Sequence, residues 1–210
     1  MVAHTRARRN GRPEKPLDRS KRRMRRQNFN TIADDDSLPV MVPRNVRTLV
    51  PVSPERVRRL RRHLIAVLRA SRRMTGSEHS ADRPEPEGFA ARVARTACAL
   101  CEGWCCKNGD DDGFLDERTV ARVACSGSPL DARAVLRLYV ERVPEAGYQG
   151  SCIFHAKQGC TLDRPLRSDV CNSYFCGGLH DYVANGDAVR PVTVIAGDSG
   201  NMRVSPILTP

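Results

Sequence analysis

The chain has 210 residues, 40% hydrophobic and only 5% aromatic, enough for one modest core with unstructured extensions and too little for a second large one. Its formal charge of +11 is lopsided, because residues 1–73 carry 21 Lys and Arg against 6 Asp and Glu while residues 74–210 carry 14 against 18. Any nucleic-acid or anionic partner is therefore expected on the N-terminal third, and no apolar run reaches the roughly 20 residues needed to span a bilayer.

Nine cysteines is an odd number, and no stretch has the charged start, apolar run and small-residue cleavage site of a secretory leader. The expected compartment is the reducing cytoplasm, where clustered cysteines are metal ligands or redox groups more often than disulfides. The excess of arginine over lysine, 31 to 4, reads as genome composition before function.

Residues 1–52 are basic and proline-bearing, with the run Lys21-Arg22-Arg23-Met24-Arg25-Arg26 and few large apolar side chains. Burial there would not offset the entropy of ordering the backbone, so a disordered tail is expected. A more specific reading is contact with nucleic acid through counterion release, extending over residues 1–73. Asp34-Asp35-Asp36 and the lack of an interleaved apolar face argue against an organelle-targeting leader.

A basic amphipathic helix is expected over residues 53–75. Ser53 supplies an N-cap, Pro54 the first helical position and Glu55 an acid in the first turn. Val57, Leu60, Leu64, Val67 and Leu68 recur at helical spacing, with arginines mostly elsewhere around the wheel. Such a stripe packs on the protein's own domain, or lies on a membrane or nucleic-acid surface. Residues 76–88, rich in Gly, Ser and Pro, read as a linker.

Residues 89–210 form the expected cysteine-cluster domain. Phe89 to Ala97 is a short helix that delivers Cys98 and Cys101 at its end. Asp110-Asp111-Asp112-Gly113 is a polar turn, since the alternating oxygen ligands and terminal Glu of a calcium loop are missing. Helices follow over residues 116–124 and 130–143, then a short one near His180. Val192 to Ala196 and Met202 to Ser205 flank Gly197-Asp198-Ser199-Gly200-Asn201 as a terminal β-hairpin. The fold class is α+β: a small, mainly helical, metal-stapled domain with a C-terminal β-hairpin, preceded by a disordered basic tail.

The chemistry lies in the cysteines. Cys98, Cys101, Cys105 and Cys106 fall within nine residues, and Cys152, Cys160, Cys171 and Cys176 follow. Four thiolates close a tetrahedral shell around zinc, at about 2.3 Å per bond, or hold one iron–sulfur cluster. Side chains of the adjacent Cys105 and Cys106 diverge, so two sites or a multinuclear cluster accommodate them better than one ion. Eight thiols can form two groups of four, or four ligands plus four redox-active thiols. Cys125, in an apolar stretch, is expected to be a buried bystander. His155 and His180 are possible nitrogen ligands. Arg167 is the candidate cation that moderates the charge of the thiolates.

This pattern resembles the bacterial cysteine-cluster family of zinc- or iron-chelating proteins, whose signature runs Cys-x2-Cys-x2-Cys-Cys and ends in Arg-Pro-x-x-Cys-x4-Cys. The resemblance covers about residues 95–177. The first run is one residue longer here, and Arg167-Ser168-Asp169-Val170-Cys171 stands on the Arg-Pro-x-x-Cys element with Ser168 in place of proline. The resemblance implies eight cysteines serving a zinc ion or an iron–sulfur cluster.

The expected function is therefore a metal-binding protein with a structural or metal- and redox-sensing role. No Ser/His/Asp arrangement, P-loop, dinucleotide fingerprint or catalytic carboxylate pair is visible. One alternative is an iron–sulfur enzyme with redox or group-transfer activity, since some flagellin lysine methylases are similar in cysteine pattern. Another is a nucleic-acid-binding metalloprotein acting through the Arg-rich N-terminus.

Overall fold

Strand β6 (Val192–Ala196) is buried at all five positions, as a β-branched strand paired on both edges should be. The computed structural model describes residues 36–72, 86–126, 129–185, 189–198 and 200–210. These belong to one compact unit, Asp36–Pro210; the other unit, Met1–Asp35, lies outside the described residues, as does most of the expected linker.

The long partner of β6 is β1 (Leu38–Val42), which runs parallel to it in the register Leu38↔Val192 to Val42↔Ala196. On the other edge, β7 (Arg203–Val204) is antiparallel through Ile195↔Val204 and Ala196↔Arg203. The C-terminal strands are thus part of a three-stranded mixed sheet, β1-β6-β7, and do not stand alone as a hairpin. Expected disorder through residue 52 is corrected here, because Val40 and Val42 are core residues. Pro39 obscured the strand in the sequence, yet a proline is tolerated on an edge, where one face of the ladder needs no N–H. Helix α2 (Gly88–Cys101) and helix α6 (Gly177–Asn185) cover this sheet. Backbone approach is close enough that a Cβ on Gly178 would lie 1.8 Å from the Met41 carbonyl oxygen.

A second core is helical. Helix α1 (Pro54–Ser71) buries Leu60, Leu64, Val67 and Leu68 against α3 (Glu117–Cys125) and α4 (Ala132–Val140). Its start follows from the cap, with Ser53 Oγ accepting from the Arg56 N–H at 3.4 Å. Asp116 and Asp131 cap α3 and α4 in the same way, at 2.8 and 2.7 Å. Tyr139 and Phe154 pack at 6.3 Å between ring centroids, and the Tyr139 hydroxyl donates to the Leu166 carbonyl at 2.9 Å. The basic helix is therefore part of the domain, which begins near residue 36 and not at 89. Its expected run to residue 75 is also shortened, since it ends at Ser71.

Two small ladders, β2 (Leu49–Pro51) with β3 (Ala146–Tyr148) and β4 (His155–Ala156) with β5 (Gly159–Cys160), bring the middle of the chain between the cores. Helix α5 (Asp169–Ser173) follows. No helix among the described residues is long and apolar enough to cross a membrane.

Because α1 supplies the helical core, Leu64→Ala should lower unfolding free energy by about 2–5 kcal/mol, the range for a buried leucine leaving a cavity. Urea denaturation measures this. A loss below about 0.5 kcal/mol, typical of a surface site, would contradict the packing.

Candidate metal centre

Cys98 and Cys101 sit on the last turn of α2, and their three-residue spacing puts both on one face of the helix. Glu102 (φ 53) and Gly103 (φ 74) then turn the chain through two left-handed residues. Arg44 and Arg203 hold the Glu102 carboxylate at 3.3 and 2.7 Å. Gly103 has no substitute, because a Cβ there would meet His155 Nε2 at 2.3 Å. A 3-10 turn, Trp104–Asn108, follows and carries Cys105 and Cys106.

Backbone hydrogen bonds bring Cys152, the first of the second four cysteines, to this turn. The Cys152 N–H donates to the Cys106 carbonyl at 2.9 Å, and the Ile153 N–H to the Asp110 carbonyl at 2.7 Å. Cys152 packs so closely on Gly109 that a Cβ there would lie 2.8 Å from its own Cβ. Cys160 is on β5, paired with His155. Cys171 is on α5, where its N–H donates to Ser168 Oγ at 3.2 Å. Ser168 is thus the cap of this helix. Cys176 precedes α6 and accepts from the His180 N–H at 2.7 Å.

All nine cysteines are free thiols, with Cys98, Cys105 and Cys171 exposed and Cys101 and Cys152 buried. The charges that bear on these thiols fall mostly within two groups, with Cys105 acting on members of both. Burial pushes Cys98 up to about 11, assisted by the charges of Cys105 and Cys176. Although its sulfur is open on one side, protein mass on the other still costs the thiolate hydration. Burial also pushes Cys101 up to about 11, with Cys105, Cys176 and Cys98 adding to it against a hydrogen bond from the Trp104 N–H. Cys176 is raised by burial and by Cys105. Every pair among Cys98, Cys101, Cys105 and Cys176 therefore interacts.

The second set is Cys106, Cys152, Cys160 and Cys171. Burial pushes Cys152 up to about 12, with Cys160 and Cys171 reinforcing it. Cys171 is raised by burial, with Ser168 opposing and Cys160 and then Cys105 contributing. Cys106 is raised well above a normal thiol, first by its hydrogen bond to Cys105, then by burial and by the charges of Cys105, Cys152 and Cys160. The same contact lowers Cys105. Cys105 and Cys106 join the two sets while each belongs to a different one.

The donor chemistry suits a soft divalent cation, since mutual repulsion among thiolates is what such an ion relieves. Among the described residues, no three Cys, His, Asp or Glu side chains already stand at ligand geometry. An ion would have to draw the four sulfurs of a set together. Arg167 donates through Nε to the Leu162 carbonyl at 2.8 Å, and its charge lowers Cys98, Cys105 and Cys171, members of both sets. Arg122 fixes this segment by donating to the Pro165 and Arg167 carbonyls at 2.5 and 2.7 Å.

Three sequence expectations change. Cys125 is exposed at the end of α3 and not buried, and it is not among the groups that shift the eight thiols. His155 is buried with both ring nitrogens occupied: Nδ1 lies 2.8 Å from Ser151 Oγ and Nε2 3.0 Å from the Glu102 carbonyl. A carbonyl only accepts, so Nε2 carries the proton and the ring is a brace between two cysteine loops, not a ligand. His180 is exposed and faces Asp181 at 3.7 Å. Sequence reasoning missed Arg164, whose charge lowers Cys98, and Arg56, described below. The Arg164-Pro165 pair, between Cys160 and Cys171, was the available signal.

No protein-family model matches the chain, and no curated protein or solved structure matches it either.

Burial lowers the pKa of His155, with the Arg47 charge acting in the same direction against its bond to the Glu102 carbonyl. Its contribution to stability should be complete above the unfolded value of about 6.5 and decline as pH falls through the lower folded value. An NMR titration of the ring should place its midpoint below 6.5; a midpoint at or above that value would refute the neutral brace.

Proposed function

We propose that this chain is a metalloprotein that binds zinc ions or iron–sulfur clusters through two four-cysteine sites, Cys98/Cys101/Cys105/Cys176 and Cys106/Cys152/Cys160/Cys171. The carrying observation is that Cys98, Cys101, Cys105 and Cys176 all act on one another, while Cys106, Cys152, Cys160 and Cys171 are linked through Cys152 and Cys160. Resemblance to the zinc- or iron-chelating cysteine-cluster family supports the same ligands.

The role is structural, with metal or redox sensing open through the exposed sulfurs. Cys101 belongs to the sheet core, against which Cys176 packs. Cys152 belongs to the helical core, against which Cys106 and Cys160 pack. Each metal would therefore staple its own core, and the Cys105-Cys106 peptide bond would tie the staples together. Four thiolates around a divalent ion leave a formal charge of about −2, which Arg164 and Arg167 moderate.

Anaerobic purification followed by zinc, iron and acid-labile sulfide analysis tests this reading. Two zinc ions or two clusters per chain are expected. Cys176→Ser should remove one equivalent, Cys171→Ser the other, and Cys125→Ser neither. A metal-free wild type, or wild-type stoichiometry in both ligand variants, would sink the proposal.

A further inference from the structure

The second thiol set draws two of its cysteines from separate loops, Cys106 from the 3-10 turn and Cys152 from the β3–β4 connection. A residue about fifty positions earlier in the chain clamps those loops. Arg56, in the first turn of α1, donates through Nη2 to the Ser151 carbonyl at 2.6 Å and to the Asp110 carbonyl at 3.2 Å. Its Nε donates to Asp111 Oδ1 at 2.5 Å. One planar guanidinium thus reaches the residue before Cys152 and the acidic turn that follows Cys106.

The clamp is rigid at its base, since Leu60 and Leu64 lie at 0% exposure on the same helix. It is also shielded, with Arg56 17% and Asp111 18% exposed at the side chain, so water and salt weaken it less than an open surface pair. Hydrogen bonds from Arg56 and Arg59 hold the Asp111 carboxyl below its usual range although burial opposes them. Ser151 is a shared anchor: its carbonyl takes Arg56, its hydroxyl meets His155, and its N–H donates to the Tyr148 carbonyl at 3.2 Å.

We infer that Arg56 is a positioning residue for the second four-cysteine site, presetting the separation of Cys106 and Cys152 by bridging their loops from α1. This rests on the two-site metal reading above. The Ser151 contact lies beside Cys152 and so belongs to the second set alone, whereas the acidic turn follows Cys105 as well as Cys106, so the influence of Arg56 falls chiefly on the second set. Lysine cannot replace it, because a single ammonium offers no planar fork to span two carbonyls and a carboxylate.

The test uses cobalt(II) as probe in the full chain, followed by thiolate-to-cobalt charge-transfer absorption and competition with a chelator. In a Cys176→Ser background, which leaves the second set intact, Arg56→Gln should weaken cobalt binding roughly 10- to 100-fold, the range for partners that orient ligands. Arg56→Lys should not restore it. In a Cys171→Ser background, which leaves only the first set, Arg56→Gln should change affinity less than about twofold. Asp111→Asn, which loosens the guanidinium without touching the α1 core, should act in the same direction and keeps the test available if Arg56→Gln does not fold. Equal weakening in both backgrounds, rescue by lysine, or unchanged affinity in the first would overturn the inference while leaving the metal reading in place. Absence of thiolate–cobalt bands from the unsubstituted chain would overturn both.

Discussion

The hydrogen bond from the Cys152 N–H to the Cys106 carbonyl, at 2.9 Å, is the point at which the two halves of the cysteine pattern meet. Around it the chain must place three glycines where side chains cannot fit. Gly109 receives Cys152, Gly113 receives the Phe154 ring with a Cβ distance of 2.9 Å, and Gly103 receives the His155 ring. Losing this junction would separate the turn that holds Cys105 and Cys106 from the loop that completes the second set.

The junction matters because the hydrophobic material is divided. One cluster gathers around the β1-β6-β7 sheet with α2 and α6, and another around α1, α3 and α4. Each is small, and the low aromatic content noted at the outset limits what either can bury. Small cores of this kind gain most from cross-links supplied by metals or disulfides. With every thiol free, the proposed metal sites would supply that cross-link, one within each core. Their linkage through consecutive residues means that occupancy of one would be felt at the other by the shortest covalent path.

Arginine performs two distinct tasks in this arrangement. Arg164 and Arg167 bring charge to the sulfurs, Arg167 also donating to the Leu162 carbonyl, whereas Arg56 and Arg122 fix loops that carry cysteines by donating to their carbonyls. Glu55, by contrast, collects Arg58, Arg59 and Arg62 at the exposed surface of α1, where ion pairs contribute little. The same residue type in one helix therefore divides into solvated charge and structural clamp according to burial.

Much that is local was legible without coordinates. Ser53 announced a helix start, and the Leu60, Leu64, Val67 and Leu68 stripe announced a buried face, because caps and periodicity act within a few residues. The identity of the eight candidate ligands was equally plain, since thiols so closely spaced are rare without a chemical reason. Tertiary structure alone decided that Leu38–Val42 is a strand, because its partner lies some 150 positions away and its proline reads locally as a break. It alone brought Cys101 and Cys176 to the sheet core and Cys106, Cys152 and Cys160 to the helical core, since spacing along the chain permits several groupings and only the fold brings specific loops together. It likewise turned His155 from a possible ligand into a brace, by filling both ring nitrogens with partners that no sequence pattern reveals.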